Sequence, residues 1–296
     1  MKKPEASEIF KITTTGEFEN EALKVFQYQA LNNLVYRTFL EKLGVDYERI
    51  QTIKEIPFLP VSFFKNHKII SGTDPATVIF ESSGTTGNVT SRHYVSDQSI
   101  YKESFLGTFR LFYGEPSSYV IAGLLPSYIE RENSSLVYMV NELIKLTESR
   151  LSGFYKYNYS EMLVALDKAK SEGKKVLLIG VSFALLDLAE KHPADLSGVI
   201  IMETGGMKGR RKEITREELH GILTSSLNID VVHSEYGMTE LLSQAYSKGN
   251  GLFRCPPWMK IILRDPLDPL SIYNESAKTG GINIIDLANI NSCSFI

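Results

Sequence analysis

The sequence predicts an α/β protein whose mostly parallel sheet is layered with helices, and three observations support this class. First, short apolar runs alternate with segments of helical periodicity, as in successive βαβ units. Second, residues 175–181 (KVLLIGV) and 199–202 (VIIM) are almost entirely apolar, which is typical of strands buried on both faces. Third, the chain is 43% hydrophobic and 23% charged, which excludes a disordered or fibrous protein.

Periodicity and punctuation locate the individual elements. A first amphipathic helix is expected over residues 20–43, because apolar residues recur at helical spacing up to Gly44. Further helices are expected at 97–113, at 133–150 with Asn133 as N-cap, at 160–172, and after the capping-box spacing of Thr215 and Glu218. Strands are expected at 77–80, 118–125, 175–181, 199–202 and 229–232.

Changes of pattern divide the chain into three parts. We expect a helical N-terminal segment over residues 1–75 that packs on an α/β core over residues 76–247. A smaller β-rich portion is expected over residues 248–296, where prolines separate short strands. Because ligands usually bind at the carboxyl ends of parallel strands, a site is expected in the segments that follow the core strands.

Composition and charge exclude several classes of protein. The 296 residues carry a formal net charge of −3, so the chain lacks the basic balance of a general nucleic-acid binder. No apolar run approaches the ~20 residues of a membrane span, and the N-terminus leads into no apolar signal core. The two cysteines, Cys255 and Cys293, exclude a disulfide scaffold. We therefore expect a cytoplasmic protein without a membrane span or a nucleic-acid partner.

The most informative segment is 81–87 (ESSGTTG), which follows the strand predicted at 77–80. Its glycines allow a ligand to approach the backbone closely, and its N–H groups and four hydroxyls could surround phosphate oxygens. The segment matches neither the P-loop nor the dinucleotide-binding glycine pattern. A flexible polar loop explains the composition equally well, so both interpretations stay open at this point.

Two further segments follow predicted strands and carry groups suited to a nucleotide. Residues 234–240 (SEYGMTE) offer an aromatic ring for stacking, the Thr239 hydroxyl, and the Glu240 carboxylate as a ligand for Mg²⁺. A turn with a solvated glutamate is the alternative. Residues 203–212 (ETGGMKGRRK) place two glycines where a planar ligand could approach, although a basic run usually marks a solvated face.

In chain order, the three segments resemble the phosphate-binding loop, the Gly-Gly adenine loop and the Tyr-Gly-x-Thr-Glu motif of the adenylate-forming (acyl-CoA synthetase, AMP-binding) superfamily. Residues 236–240 match that motif at every defined position, and residues 82–87 match the Ser-Ser-Gly-Thr-Thr-Gly form. Residues 124–131 and 181–186 look like the LuxE-like acyl-protein synthetases, also called long-chain fatty acid–luciferin-component ligases, which are related to phenylacetate-CoA ligases. The resemblance runs from about Phe58 to the last residue.

The resemblance implies ATP and Mg²⁺ as cofactors and a nucleotide-binding role for the α/β core. The first loop would hold the β- and γ-phosphates, the Gly-Gly segment would lie along the adenine, and the aromatic ring would stack on it. The cofactor-binding residues implied in this way are Ser82, Ser83, Gly84, Thr85, Thr86, Gly87, Gly205, Gly206, Met207, Tyr236 and Gly237. The implied catalytic residues are Thr239 at the α-phosphate, Glu240 as the Mg²⁺ ligand, and Arg92.

The sequence departs from the family pattern at two places. The family's loop usually continues to a Pro-Lys pair, whereas residues 88–92 read NVTSR, so Arg92 is expected to supply that charge. Its neighbour His93 could contact the adenylate or be an ordinary loop histidine. The sequence ends before the family's ribose-binding Asp motif, its catalytic lysine and the acyl-accepting cysteine. We expect a truncated chain rather than a naturally short homologue, because ending on the apolar residues 295–296 would expose a strand edge.

The activity implied is ATP-dependent activation of a carboxylic acid, expected to be a fatty acid, as an acyl-adenylate with release of pyrophosphate. Transfer of the acyl group to a protein or thiol acceptor would follow, so the expected partners are a small carboxylic acid and an acceptor protein or CoA. Charge neutralisation and in-line positioning would supply most of the catalysis, because carboxylate attack on the α-phosphorus brings two anions together. Two alternatives stay open: an aryl- or acyl-CoA ligase of the phenylacetate-CoA ligase type, and a non-catalytic nucleotide- or acyl-binding homologue.

Overall fold

The computed structural model describes residues 2–82, 89–126, 133–207, 209–273 and 279–296. The described strands are β1 Val78–Glu81, β2 Arg92–Val95, β3 Tyr119–Leu124, β4 Gly153–Phe154, β5 Lys175–Val181, β6 Val199–Thr204, β7 Val232–Tyr236, β8 Ala245–Ser247, β9 Phe253–Arg254, β10 Met259–Arg264 and β11 Gly281–Asp286. The described helices are α1 Ala6–Ile9, α2 Thr15–Asn32, α3 Leu34–Lys42, α4 Phe63–Asn66, α5 Gln98–Tyr113, α6 Ser135–Thr147, α7 Tyr159–Ser171, α8 Ser182–Lys191 and α9 Arg216–Leu227.

A seven-stranded sheet in the order β4-β3-β5-β6-β7-β8-β9 forms the centre of the fold. The pairing is parallel from β4 through β7, and β8 and β9 are added antiparallel at one edge. Strands β1 and β2, and strands β10 and β11, form two separate antiparallel pairs. Helices α6 to α9 lie between successive parallel strands in the chain and pack on the sheet. The predicted fold class is therefore confirmed.

Burial of the central strands explains their apolar sequences. Strand β3 is buried at every position, and β5 is buried at every position after Lys175. Apolar side chains from the N-terminal helices, the sheet and the C-terminal segment pack into one hydrophobic core. The three-part division of the chain stays a prediction. Within the described residues, no helix combines the length and the apolarity that a membrane crossing requires.

The single helix expected over residues 20–43 is wrong, because the structure divides it at Asn33. Asn33 has an extended backbone (φ −108°, ψ 105°), and its side-chain oxygen accepts a hydrogen bond from the Tyr36 N–H as the N-cap of α3. The Asn33 amide group donates to Ser71 Oγ and to the Ser292 carbonyl. Contacts with distant segments thus fix a helix boundary that hydrophobic periodicity does not reveal.

Side-chain caps close the N-termini of helices α6 and α9. Thr215 and Glu218 form the predicted capping box of α9. Ser134 Oγ accepts from a backbone N–H of the first turn and caps α6, so the cap expected at Asn133 is wrong by one residue. The Asn133 carbonyl instead accepts from the Glu81 N–H at 2.9 Å, which ties the end of β1 to the start of α6.

The strand expected at 229–232 is wrong in position, because β7 runs from Val232 to Tyr236. Asn228 adopts a left-handed backbone (φ 51°) that ends α9, and the Ile229 N–H bonds back to the helix at the Thr224 carbonyl. The apolar residues before Val232 therefore belong to the exit from the helix. The first part of the SEYGMTE motif is strand rather than turn.

The last residues of the sequence are buried. The Ile296 N–H and carbonyl exchange hydrogen bonds of 3.0 and 2.7 Å with the Ile284 carbonyl and N–H, and the Phe295 carbonyl accepts from the Leu59 N–H at 2.9 Å. These hydrogen bonds pair the apolar residues 295–296 with β11 and with the segment before α4. Cys293 is also fully buried, as expected for a small apolar side chain.

Candidate active site

A cavity of about 250 Å³ lies where β6 and β7 end, at the carboxyl edge of the parallel sheet. The described residues that line it include five of the predicted site residues: Ser82, Gly205, Gly237, Thr239 and Glu240. This is the position at which α/β sheets usually bind ligands. The structure therefore brings Ser82, from segment 81–87, and Glu240, at the end of segment 234–240, to the same cavity. We call these segments the first and the second motif, and the chemical roles of their residues stay predictions.

For most residues of the segment 81–87, the structure gives no position relative to the cavity. Ser83, Gly84, Thr85, Thr86 and Gly87 lie outside the described residues. The flanking backbone is fixed by a reciprocal pair of bonds, since the Ser82 N–H donates to the Ser91 carbonyl at 3.0 Å and the Ser91 N–H donates to Ser82 Oγ at 2.9 Å.

Four predicted residues are not among the described residues that line the cavity. Gly206 is one of them, and Met207, which is only 3% exposed, is buried in the hydrophobic core. The Tyr236 hydroxyl donates to the sulfur of Met238 at 3.3 Å. Arg92 is exposed on β2, directly across the strand pair from the cavity residue Glu81. Its predicted catalytic role stays a prediction.

Two glycines shape the cavity at its rim. Gly205 has a left-handed backbone (φ +70°), which lets the chain turn sharply after β6. At Gly237, a Cβ atom would lie 2.5 Å from Glu235 Oε1, so a larger residue there would require the Glu235 carboxyl to shift. Glycine at position 237 therefore lets the Glu235 carboxyl keep its observed position.

The turn that carries Glu240 is fixed from behind by the C-terminal segment. Asn289 Nδ2 donates to the Glu240 carbonyl at 2.7 Å. The Asp286 carboxylate accepts from the N–H groups of Leu242 and Ser243, both at 2.9 Å, and from the Ser243 hydroxyl at 2.6 Å. Asp286 is fully buried, and this burial raises the pKa of its carboxyl group. A polar network of distant residues thus sets the backbone of the motif.

His93 holds the same turn from β2. Its Nδ1 lies 2.9 Å from the Thr239 carbonyl oxygen, and its Nε2 lies 2.8 Å from Ser292 Oγ. Because a carbonyl only accepts, we assign the proton to Nδ1, and Nε2 then accepts from the Ser292 hydroxyl. Burial lowers the pKa of His93 to about 4, so the imidazole is neutral at pH 7. Its observed contact is with the backbone of the motif, which neither sequence interpretation anticipated.

Replacing His93 with Gln is expected to change how stability depends on pH. The folded-state pKa of about 4 lies below the ordinary 6.5, so the histidine's contribution is present above pH 6.5 and is lost as pH falls towards 4. Relative to the variant, the unmodified chain should lose about 2–3 kcal/mol of unfolding free energy between pH 7 and pH 4.5. Urea unfolding at both pH values measures this loss, and His67→Gln, at an exposed position, is the control. An equal change of unfolding free energy with pH in the unmodified chain and in His93→Gln would contradict the prediction.

The deeper wall of the cavity consists of residues that sequence reasoning missed. These side chains are all less than 10% exposed, and we call them the deep wall: Tyr101, Met139, Thr204, Glu235 and Gln244. Glu235 stands inside the second motif, but at a position that the motif leaves undefined. Thr204 likewise stands inside the segment 203–212 without an assigned role. No pattern in the sequence singles out the other three, because parts of the chain that are far apart in sequence bring them together.

Glu235 is the buried ionisable group of the deep wall. Burial raises its pKa to about 7; the hydrogen bond donated by the Thr204 hydroxyl to Oε2 opposes this rise, and the nearby Glu203 carboxylate adds to it. The carboxyl group is therefore partly protonated at neutral pH. A group in this state can both donate and accept hydrogen bonds.

Replacing Glu235 with Gln is expected to change the pH dependence of the unfolding free energy in the opposite direction to His93→Gln. The folded-state pKa of about 7 exceeds the ordinary 4.5, so the stability contribution is present below pH 4.5 and is lost as pH rises through 7. The variant should gain about 2–3 kcal/mol of unfolding free energy over the unmodified chain between pH 4.5 and pH 7. Denaturant titrations at the two pH values check this, with exposed Glu217→Gln as the control; an equal pH response in all three proteins would refute it.

Comparison with known proteins gives both a sequence relative and structural neighbours. No protein-family model matches the sequence. A long-chain-fatty-acid–luciferin-component ligase from Vibrio harveyi is 24% identical over 265 residues, which cover 83% of this chain and 69% of the relative. Crystal structures of 2-hydroxyisobutyryl-CoA ligase in the postadenylation state, bound to 2-HIB-AMP or R3-HIB-AMP, match with TM-scores of 0.64 and 0.61 at 10% identity.

The chain has the fold of these two CoA ligases. The structural matches cover 97% and 93% of this chain, which spans 64% and 60% of the length of those two ligases. The sequence match to a long-chain-fatty-acid–luciferin-component ligase agrees with the predicted resemblance, and the relatives matched by sequence and by fold are ligases.

Proposed function

We propose that the chain activates a carboxylic acid with ATP, forming an acyl-adenylate and releasing pyrophosphate. The observation that carries the proposal is the single cavity lined by Ser82, Thr239 and Glu240 at the carboxyl edge of a parallel sheet. These residues belong to two motifs that are distant in sequence, and the superfamily's nucleotide chemistry gives a reason for their meeting. The adenylate bound to the structural neighbour, 2-HIB-AMP, supports the same reaction class.

The charges of the cavity fit a magnesium–nucleotide better than a free nucleotide. Glu81, Glu235 and Glu240 all line the cavity and would repel bare phosphates. Mg²⁺ usually takes one or two protein carboxylates and completes its coordination with phosphates and water, so Glu240 suffices as its protein ligand. Among the described residues no group of three or more His, Cys, Asp or Glu side chains could hold a metal ion.

In the proposed reaction, a carboxylate oxygen attacks the α-phosphorus, and the bond from that phosphorus to the departing pyrophosphate breaks. The Thr239 hydroxyl would donate to an α-phosphate oxygen, and exposed Arg92 would draw the polyphosphate to the open side of the cavity. Gly205 would lie against the adenine, with the Tyr236 ring near it. The turn fixed by His93 would hold this geometry without touching the substrate.

The proposal also covers the acid substrate, the acyl acceptor and the cellular compartment. The Vibrio harveyi relative, a long-chain-fatty-acid–luciferin-component ligase, supports a long-chain fatty acid as one substrate. The structural neighbour, a CoA ligase, supports CoA as one acceptor. A protein acceptor is the corresponding proposal from the LuxE-like resemblance. Free thiols at Cys255 and Cys293 favour the cytoplasm as the compartment.

Exchange of labelled pyrophosphate into ATP tests the reaction directly. The full chain should catalyse this exchange only when both a suitable carboxylic acid and Mg²⁺ are present. Calorimetry with ATP and Mg²⁺ provides the parallel binding measurement. Nucleotide binding without exchange, across a broad panel of acids, would favour the non-catalytic homologue, and the lack of both would refute the proposed function.

A further inference from the structure

Two adjacent arginines in the connection between β6 and α9 contact one face of α8. Arg210 and Arg211 follow the segment 205–207, which the resemblance places along the adenine. Their partners on α8 are Phe183, Asp187 and Glu190. Residues spaced by four and three positions lie on the same side of a helix. The two arginines therefore lie along a single stripe of α8.

Arg211 makes the stronger of the two contacts. Its Nη1 and Nη2 atoms donate to Oε1 and Oε2 of Glu190, both at 2.8 Å, so the guanidinium and the carboxylate meet through two parallel bonds. Nη2 also donates to Asp187. These hydrogen bonds lower the pKa of the Glu190 carboxyl, which is ionised at neutral pH. Most surface ion pairs contribute little, but a bidentate arginine pair within a network of charges is an exception.

Arg210 attaches the connection to α8 at a second point. Its guanidinium carbon lies over the Phe183 ring, 5.0 Å from the ring centre, and Phe183 is only 2% exposed. Arg210 Nη1 also donates to the Tyr157 hydroxyl at 3.2 Å. The Arg210 N–H donates to the Met207 carbonyl at 2.9 Å, which links the attached arginine to the segment 205–207. Both arginines are therefore engaged with partners inside the protein.

Strand β6 fixes the other end of the same segment. Thr204, the last residue of the strand, pairs with Glu235 of β7, and its hydroxyl donates to the Glu235 carboxyl. Gly205 follows directly and lines the cavity. A short connection that is held at both ends loses little further conformational entropy when a ligand binds, which favours affinity. The contacts of the arginines thus bear on the cavity through the short backbone that joins Gly205 to Arg210.

We propose that Arg211 is a positioning residue for the nucleotide: its bonds to Glu190 and Asp187 hold the connection against α8 and keep the cavity backbone in place for the adenine. This inference rests on the proposed function and adds a residue that sets nucleotide affinity from outside the cavity. Arg211 is not among the described residues that line the cavity, so it acts through the backbone and not by touching the substrate. Such an effect should appear in the KM for ATP and not in kcat.

The binding experiment uses Arg211→Gln and Glu190→Ala in the full chain, with Lys212→Gln and Glu103→Ala at exposed positions as controls. Arg211→Gln should raise the KM for ATP in pyrophosphate exchange, and the Kd of Mg–ATP in calorimetry, roughly 5-fold or more, with kcat unchanged within about 2-fold. Glu190→Ala should weaken binding in the same direction. The double variant should lose no more than Arg211→Gln alone, because the two side chains act as one unit.

The sign of the Glu190→Ala effect distinguishes positioning from a long-range effect of charge. Arg211→Gln removes a positive charge, whereas Glu190→Ala removes a negative one, so electrostatic attraction of ATP alone would weaken binding in the first and strengthen it in the second. Positioning weakens binding in both variants. Arg211→Lys should fall between the unmodified chain and Arg211→Gln, because lysine keeps the charge but cannot form the two parallel bonds.

Limited digestion with trypsin tests the contact with α8 independently of nucleotide and catalysis. The connection contains cleavage sites after Arg210, Arg211 and Lys212, and Glu190→Ala leaves all of them in place. Without the Glu190 contact, this connection should be cut at least roughly 3-fold faster, because it opens locally more often. Glu103→Ala should be cut at the unmodified rate. Equal urea midpoints for the variants and the unmodified chain would exclude a general loss of folding.

The outcomes separate this inference from the proposed function. Unchanged ATP affinity in both variants, with ATP bound by the unmodified chain, would overturn the inference and leave the proposed function standing. Weaker binding with an unchanged rate of digestion would also overturn it, because the connection would not then be held by Arg211. Weaker binding and faster digestion without any exchange would support the inference and count against the proposed reaction. If Arg211→Gln folds poorly, Glu190→Ala alone decides the test.

An unmodified chain that binds no ATP would refute the proposed function and this inference with it.

Discussion

Replacing Glu240 with Gln is expected to reduce acid-dependent pyrophosphate exchange by roughly 100-fold or more. The Glu240 side chain lines the cavity and is only 6% exposed, so a carboxylate there acts on a bound ion with little screening. The substitution keeps the shape and removes the charge. The Glu240 backbone is held separately by Asn289, so the turn should keep its position. Exchange rates measured over a range of Mg²⁺ concentrations should show a higher requirement for the ion.

Glu103→Gln is the matched control for this experiment, because Glu103 is an exposed glutamate on α5 outside the cavity. Its exchange rate and Mg²⁺ dependence should equal those of the unmodified chain. An active Glu240→Gln protein with an unchanged Mg²⁺ requirement would remove the proposed metal role, even if the acid-dependent exchange itself is confirmed.

Replacing Asp286 with Ala is expected to cause the largest loss of stability, roughly 2–5 kcal/mol of unfolding free energy. Asp286 is fully buried, and its carboxylate accepts from Ser243 and from the Ala288 N–H as well as from Leu242. Alanine leaves the Ser243 and Ala288 N–H groups buried without their acceptor. Leu242 retains a second acceptor at Asn289, so its loss is smaller. Urea unfolding with an unchanged m-value measures the effect.

Asp286→Asn separates the loss of hydrogen bonding from the loss of charge. The amide keeps one acceptor oxygen, and because burial already raises the pKa of Asp286, a neutral side chain should be tolerated better than alanine. Asp167→Asn, at an exposed position on α7, should change stability by less than about 0.5 kcal/mol. Equal losses for Asp286→Ala and Asp286→Asn would show that the carboxyl hydrogen bonds do not set the stability of this region.

The pH responses of His93 and Glu235 oppose each other in the unmodified chain. As pH falls from 7 to 4.5, the buried neutral histidine loses its advantage, while the buried glutamate gains one by being protonated. The two contributions are of similar size, so they largely cancel in the unmodified protein. Single variants are therefore needed to reveal either titration, and the double variant should again show a weak dependence on pH.

The secondary structure followed from sequence where local chemistry decides it. The apolar run at 175–181 became β5 without change, and the capping box at Thr215 and Glu218 starts α9 as predicted. The divided helix at Asn33 escaped prediction because its polar partners, Ser71 and Ser292, are distant in the chain. Element boundaries depend on such partners as much as on propensity.

The candidate site also combines residues that the sequence predicts with residues that only the tertiary structure brings together. The segments that contain Ser82, Thr239 and Glu240 were identified through their resemblance to the motifs of the adenylate-forming superfamily. Glu235 and Gln244 were not, since nothing local marks a side chain that faces a cavity. The roles of the motif residues stay predictions until activity is measured.

The amino-acid order alone determined the class of fold, since strands buried on both faces must be apolar, and it marked the loops at which a phosphate site is predicted. Only the tertiary structure decided that His93, Asp286 and Asn289 support the turn after β7, because buried polar atoms must find partners wherever the folded chain provides them. It also decided that Thr204, Glu235 and Gln244 line one cavity, since the fold assembles that cavity from residues that no local pattern connects.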